Sequence, residues 1–534
     1  MARIVPVRFC RSFLGTGFAQ NGFAMSPLIT RAITIAMFLL FASERSSPQN
    51  RMSAPAKPDS QSISEQIAET LSVTKHAITI AGLRLRYTAT AGRLRVPDQA
   101  GKPAALIFFV AYERNSENSR TRRPITFAFN GGPGASSMYL HLGAAGPYRA
   151  PFSFPRIPRI DALEENQYTW LTESDLVFVD PPGTGFSRAA PGVTAEQFYA
   201  VTPDITLMAE FIRLFLTRFE RWTSPLFIAG ESYGTTRAAG LCDYLQSAKA
   251  MVPEGLILLS SALDFETISF DPGNDLPFVL AVPSYAAAAS YHNRLPENVH
   301  PKDVPALLIN AETWARRDYF PALYQGLRMS DALRKKTIDS LAAYTGMPAT
   351  IITGNGLRIS QISFAQNLLS DRDSAIGILD SRISCAAGST HNPPDYSDPS
   401  LYFASAAYAT LINDYLRRDL GFRSPLEYVH LSDAVNRAWK WSTTGSQGYL
   451  RVTDNLLRAM CANARLRVFA GMGIYDLTTP CMSQMYAYEH LGSNRALLDR
   501  FTIKRYNAGH QMYMTEQESK QLSDDIKAFI AERQ

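Results

Sequence analysis

Short apolar runs broken by polar, glycine or proline residues occupy the first and last parts of this chain, with helix-like patterns between them. Ala77 to Ala91 and Ala104 to Arg114 alternate apolar and polar positions, which predicts the strands of an antiparallel opening joined by the polar stretch Gly92 to Pro103. Asn115 to Arg123 reads as a charged, exposed turn. Pro124 to Phe129, Leu176 to Asp180, Pro225 to Ala229, Glu254 to Ser260, Leu466 to Gly471 and Phe501 to Tyr506 are continuous apolar or β-branched runs of strand length. Ile205 to Trp222 carries apolar residues at three- and four-residue steps and predicts a helix, and Thr235 to Ala248 and Met482 to Leu491 are also helix-like. Buried strands alternating with helices imply an α/β fold, a mostly parallel central sheet with helices on both faces. From about residue 268 to 440 the strand signal fades into Ala-, Tyr- and Leu-rich helical stretches and loops such as Gly388 to Pro399. The aromatic residues there (Tyr285, Tyr291, Trp314, Tyr319, Phe320, Tyr324) are more often core than pocket lining, with a minority expected at a cleft.

Chemistry enters where one strand ends. Pro225 to Ala229 runs straight into Gly230-Glu231-Ser232-Tyr233-Gly234 and then a helix, the G-x-S-x-G context that thrusts a serine out of a tight elbow as a nucleophile. A serine hydroxyl needs a base, and in this architecture the acid and then the histidine follow later in the chain. The Leu466 to Gly471 strand leads to a loop carrying Tyr475-Asp476, and the Phe501 to Tyr506 strand leads to Asn507-Ala508-Gly509-His510. Only His490 and His510 lie beyond Asp476; His490 falls in a helical segment and reads as a surface or packed histidine, His510 on a strand exit. The expected triad is Ser232, Asp476 and His510. Upstream, Asn130-Gly131-Gly132-Pro133-Gly134 closes a strand. Alone it could be a plain glycine turn, but together with the triad it suits an oxyanion loop, where side chains would block backbone N–H groups.

These motifs resemble one family. Asn130 to Ser137 (NGGPGASS), Asp180 to Ser187 (DPPGTGFS), Gly230 to Gly234, Tyr475-Asp476 and Gly509-His510 appear in the order found in serine carboxypeptidases, the carboxypeptidase C or cathepsin A-like group of the peptidase S10 type. The similarity extends from about Ile78 to the C-terminus and, with Phe270 to Pro277 (FDPGNDLP), is greatest to the bacterial branch. The resemblance implies an α/β-hydrolase fold with a largely helical lid insertion, and serine-type carboxypeptidase activity through an acyl-enzyme. It implies an oxyanion hole from the backbone N–H groups of Gly132 and Tyr233, and a clamp on the substrate's free carboxylate from Asn130 and Glu231. Glu231 beside a bound carboxylate is an electrostatic problem that one shared proton solves, so activity is expected to favour mildly acidic pH. A glutamate bonded to backbone is the plainer alternative. The chain departs from the family at Ala135, where many members carry cysteine, at Ala128 in place of tryptophan, at the late Cys481, and at Gln511-Met512-Tyr513, which lacks the usual proline.

Composition adds limits. Hydrophobic residues make up 46% and charged residues 19%, an ordinary globular balance. The net charge of +5 invites a nucleic-acid reading, but Arg3, Arg8, Arg11 and Arg31 supply four of those charges before residue 44 with no acid, and no basic stripe with interleaved aromatics follows. Ala32 to Ala42 is an apolar run behind Arg31 followed by polar residues, the pattern of an export signal, with Met25 a candidate start and an uncleaved anchor the alternative. The expected organisation is a targeting segment over 1–44, a flexible lead-in over 45–67, core over 68–267, a helical lid over 268–440 and the second part of the core over 441–534. Cys242, Cys385, Cys461 and Cys481 permit disulfides, and Cys461 with Cys481 is the first pairing to consider, against isolated buried thiols. No CxxC or H-E-x-x-H occurs, so no metal and no cofactor is expected. The expected partner is a peptide substrate, with no nucleic acid and no stable membrane insertion once a leader is removed; the periplasm or the exterior is the expected location. Two other functions compete: an esterase or acyltransferase on small acyl substrates using the same triad, and a non-catalytic protein on a hydrolase scaffold.

Overall fold

In the computed structural model, residues 69–115, 123–156, 160–296, 303–386, 398–442 and 448–532 are described. The targeting segment with Met25, the lead-in over 45–67, most of the turn after Asn115 and the loop from Gly388 lie outside them. Among the described residues no helix is long and apolar enough to cross a membrane.

A 10-stranded sheet organises the described chain. It begins with β1 (Thr70–Ile80), β2 (Leu83–Pro97) and β3 (Pro103–Arg114), each antiparallel to the next. The expected single strand Ala77 to Ala91 is therefore two strands. Ala81 and Gly82 both adopt positive φ (47° and 80°), the geometry of a two-residue hairpin turn. The expected linker from Gly92 is instead the second half of β2, where Gly92 is buried because a Cβ would collide with Leu71. The remaining strands are β4 (Ile125–Phe129), β5 (Asp175–Val179), β6 (Leu226–Glu231), β7 (Gly255–Leu259), β8 (Arg467–Gly473) and β9 (Phe501–Tyr506). Across the sheet the order is β1-β2-β3-β5-β4-β6-β7-β8-β9, and every pair from β5 onward is parallel. A two-residue strand, Arg188–Ala189, pairs with β3.

Alternation along each strand sends neighbours to opposite faces. Leu256 and Leu258 of β7 join Phe109, Phe127 and Val468 in one apolar cluster, covered by helices α1 (Val201–Arg218) and α2 (Tyr233–Lys249). Ile257 and Leu259 join Phe108, Phe227 and Phe469 in the other. The inner parallel strands β4, β5 and β7 are buried on both faces, which is why they read as unbroken apolar runs. This is an α/β-hydrolase-like fold, a mostly parallel central sheet flanked by helices.

Packing divides the long helical segment. Helices α3 (Val282–Tyr291), α4 (Val304–Trp314), α5 (Asp331–Thr345) and α6 (Gln361–Asn367) contribute to an apolar cluster of their own, which also takes in Leu477. Helix α7 (Pro399–Arg418) instead buries Tyr408, Leu411, Ile412, Tyr415 and Leu416 against the sheet beside α8 (Glu516–Ala531). The chain over 268–440 thus holds one separate helical layer and one helix of the sheet core. Of its aromatics, Tyr285 and Tyr319 are core, their hydroxyls donating to the carbonyls of Ile359 and Leu357, whereas Tyr324 and Phe320 are exposed.

Candidate active site

Ser232 sits between β6 and α2 with φ 59° and ψ −128°, a conformation that strains a residue bearing a Cβ. The turn is held on both sides. Ser232 N–H donates to Leu259 O at 3.0 Å, and Thr235 donates to Ser232 O through N–H (2.9 Å) and Oγ1 (2.7 Å). Glycine is required at both flanks: a Cβ on Gly230 would collide with the Gly234 carbonyl, and one on Gly234 with the Phe129 carbonyl. Ser232 stays half-buried while Glu231 and Tyr233 are buried.

Asp476 and His510 leave adjacent parallel strands, β8 and β9, at the same edge. His510 Nδ1 and Asp476 Oδ2 are 2.7 Å apart, with both side chains buried. Asp476 Oδ1 accepts from the N–H groups of Thr478 (2.8 Å) and Thr479 (3.0 Å), and Oδ2 also accepts from Thr479 Oγ1 (2.6 Å). These donors favour the carboxylate, so the shared proton belongs to Nδ1 and Nε2 keeps its lone pair. Ser260 Oγ donates to His510 O at 2.7 Å, and His510 N–H donates to Leu379 O at 2.7 Å. Burial lowers the His510 pKa, but the Asp476 charge and hydrogen bond, with Glu231 and Asp398 beyond, outweigh it and leave the group above its ordinary value. His490 is exposed at the end of its helix, stacked on Tyr486 at 3.8 Å, apart from this cluster.

The glycine-rich loop after β4 presses on the elbow. A Cβ on Gly131 would lie 2.6 Å from Tyr233 N and 2.7 Å from Ser232 Cβ, so only glycine permits the approach that sets the Gly132 segment beside Tyr233. Gly132 and Gly134 take φ of 97° and 107°, open to residues without a Cβ. Asn130 Nδ2 donates to Glu231 Oε1 at 2.8 Å, and Asn130 Oδ1 accepts from Leu140 N–H at 2.9 Å. The other Glu231 oxygen, Oε2, is buried without a hydrogen-bond partner. Burial pushes the Glu231 pKa up to about 7; the charge of His510, the nearby Tyr513 hydroxyl and the Asn130 hydrogen bond oppose it, and the Asp476 charge adds to it. A carboxyl group that keeps its proton near neutrality can lie against another carboxylate.

The serine carboxypeptidase family model matches residues 85–254. Over this stretch the chain is similar to the serine carboxypeptidase family. The match takes in the glycine-rich loop and the elbow and ends before Asp476 and His510. A carboxypeptidase Y homolog of Arthroderma benhamiae is 36% identical over 161 residues, 29% of this chain and 30% of that protein. The pheromone-processing carboxypeptidase KEX1 of Saccharomyces cerevisiae is 32% identical over 133 residues, 24% of this chain and 17% of that protein. The matches thus span less than a third of the length of these relatives. The crystal structure of a prohormone-processing carboxypeptidase, KEX1, from Saccharomyces cerevisiae has the same fold, with a TM-score of 0.52 at 17% identity over 83% of this chain and 91% of that one.

Around this site Arg237, Asp204 and Thr479 had no reading in the sequence, and Asp180 was read only as part of a motif. Arg237 Nε and Asp204 Oδ2 form a buried ion pair at 2.8 Å, and Arg237 Nη1 donates to Asn130 O at 3.0 Å. The same guanidinium lies 5.3 Å from the Tyr233 ring centre. Asp180 Oδ1 accepts from Ser137 N–H at 2.8 Å, tying the DPPGTGFS motif to the chain just past the glycine-rich loop. Burial raises the Asp180 pKa to about 7, against hydrogen bonding from Ser137 and Tyr428 and the Arg188 charge. Thr479, three residues after Asp476, carries the one local signal that was available, an Asp-x-x-Thr turn.

The four cysteines among the described residues are free thiols, which corrects the first pairing considered: Cys461 is exposed on its helix while Cys481 is buried, its thiol donating to Gly473 O at 3.3 Å. Burial raises the Cys481 thiol pKa to about 12, so it has little thiolate character. Among the described residues no three His, Cys, Asp or Glu side chains converge as a metal site would.

Proposed function

We propose that the protein is a serine carboxypeptidase that releases C-terminal residues from peptides through an acyl-enzyme. Ser232 Oγ attacks the scissile carbonyl carbon while its proton passes to His510 Nε2, and Asp476 stabilises the imidazolium. The N–H groups of Gly132 and Tyr233 receive the oxyanion. His510 then gives its proton to the leaving amine, and the C–N bond breaks. Water repeats the sequence on the ester, with His510 as base and then acid, and regenerates Ser232.

The observation that carries this reading is the Asn130–Glu231 pair beside the nucleophile, with a Glu231 carboxyl protonated up to about pH 7. Asn130 and protonated Glu231 hold the substrate's terminal carboxylate, a need that esterases and acyltransferases do not share. The helices α3 to α6 act as the lid that shapes the cleft, supported by Leu477 in their apolar cluster and by Tyr291 stacked edge-on against Tyr475 at 5.6 Å. The apolar run after Arg31 supports export to the periplasm or the exterior.

The test compares hydrolysis of an N-blocked dipeptide with that of its C-terminal amide at pH about 5 and about 7.5, either side of the raised carboxyl pKa. Strong preference for the free acid, greatest at the lower pH, is the expected result. Equal or better cleavage of the amide, or ester hydrolysis alone, overturns the carboxypeptidase reading.

A further inference from the structure

Beyond His510 the chain runs Gln511-Met512-Tyr513, and Tyr513 is fully buried. Its ring is held by packing. A Cβ on Gly143 would strike it, and Tyr408 Oη lies at 3.1 Å from the same point. Its backbone is held as well: Tyr513 O accepts from Arg149 Nη2 at 3.4 Å. That guanidinium is itself buried, bonded to Ala150 O and Ser519 Oγ and lying 3.2 Å from the Phe152 ring centre. The ring therefore has one place to be, and its hydroxyl stands beside Glu231.

The hydroxyl nonetheless has no hydrogen-bond partner, and neither does Glu231 Oε2. The hydroxyl lies near enough to favour the Glu231 carboxylate, yet no contact between the two meets the distance and angle of a hydrogen bond, so both atoms stay open. Buried polar atoms are nearly always satisfied, and those left open concentrate where something else completes them. Here two open atoms, each able to donate or accept when Glu231 is protonated, face each other at the residue that precedes the nucleophile. Neither serves the Ser232–His510–Asp476 proton path. Asn130 leaves them open: Oδ1 accepts from Leu140 N–H and one Nδ2 hydrogen goes to Glu231 Oε1, so only its second Nδ2 hydrogen remains for a ligand.

We propose that Tyr513 is a further substrate-binding residue, whose hydroxyl donates a hydrogen bond to the free α-carboxylate of a bound peptide where Glu231 Oε2 also meets it. This rests on the carboxypeptidase reading and deepens it. The terminal carboxylate then has donors on both sides, Asn130 with protonated Glu231 on one and Tyr513 on the other. No bond is made or broken by Tyr513, so it acts on affinity.

The test is Tyr513→Phe, which keeps the ring that Gly143 and Tyr408 enclose. Kinetics are measured on an N-blocked dipeptide and on its C-terminal amide, with thermal unfolding as a check on folding. A hydrogen bond to a charged group sets the expected change: kcat/KM on the free acid falls about 10- to 100-fold, through KM, while the amide is unaffected. Binding of the free-acid peptide to Ser232→Ala and to Ser232→Ala with Tyr513→Phe reports the same difference without turnover. A wild-type enzyme indifferent to amidation overturns the carboxylate reading and the role of Tyr513 with it. A wild type that prefers the free acid, with a folded Tyr513→Phe variant that prefers it as strongly or loses both substrates equally, overturns the role of Tyr513 alone.

Discussion

The strand exits of the sheet and the helical layer of α3 to α6 both rest on apolar cores but bury opposite kinds of polar group. At the strand exits Asn130, Asp180, Glu231, Asp476 and His510 are all buried, as are Asp204 and Arg237 on the adjoining helices α1 and α2. Several are held by a single partner, and Asp180 Oδ2, Asp204 Oδ1 and Glu231 Oε2 have none. In the helical layer the buried polar residues are Ser284, Ser290, Thr337 and Thr345, and both threonines return their hydroxyls to the carbonyl one turn back. Buried charge is expensive unless paired, so it persists where chemistry uses it and is replaced by hydroxyls where only packing matters. The strained φ of Ser232 belongs to the same contrast.

The sharpest break in that comparison is Ser232→Ala. It is expected to lower kcat by on the order of 10⁴- to 10⁶-fold with the unfolding midpoint little changed, read from turnover and thermal melting together. Retention of more than a tenth of the activity would remove Ser232 as nucleophile.

A second break sets Asp204→Asn against Leu341→Ala, one at each site. Asp204→Asn leaves the buried Arg237 uncompensated and is expected to destabilise the fold by about 3–5 kcal/mol. Leu341→Ala leaves a cavity in the helical layer and is expected to cost about 2–5 kcal/mol. Denaturant unfolding measures both. Only Asp204→Asn should also lower kcat/KM, because Arg237 holds the Asn130 carbonyl. If Leu341→Ala lowers kcat/KM as much, the contrast between the regions fails.

The smallest effect is in pH dependence, through Glu231→Gln. In the wild type Glu231 has a pKa of about 7, and on the carboxypeptidase reading KM for a free-acid substrate is expected to rise there. Glutamine cannot ionise, so that rise should disappear. The Glu231 charge also raises the His510 pKa, so the acid limb of kcat should move to lower pH in the variant. Stability follows the same proton. The folded-state pKa of about 7 lies above the ordinary value of 4.5, so between them the unfolded chain loses its proton first. Wild-type stability relative to the variant therefore falls as pH rises from 4.5 to about 7 and is level outside that window. Identical pH profiles for the two proteins would remove Glu231 from the substrate's carboxylate.

Much of the framework was legible locally. Phe501 to Tyr506 is a strand from end to end, the helix after the elbow spans Tyr233–Lys249 against an expected Thr235 to Ala248, and the helix expected over Ile205 to Trp222 runs Val201–Arg218. That last helix ends early because Glu220 turns to a φ of 55°. The hairpin at Ala81-Gly82 was missed because alternation continues through it on both sides, and alanine is not a residue that announces positive φ.

By itself the sequence determined the alternation of strands and helices, the elbow with Ser232, and the two strand exits that carry Asp476 and His510. These are properties of periodicity and turn chemistry, written within a few residues of one another. Only the tertiary structure decided that α7 belongs to the sheet core while α3 to α6 form a layer of their own. It alone kept the cysteines apart, closed the Asp204–Arg237 pair under Asn130 and left Glu231 and Tyr513 with open atoms side by side. Each of those outcomes depends on side chains from distant segments meeting in space, and on how far burial removes them from water, neither of which a local pattern encodes.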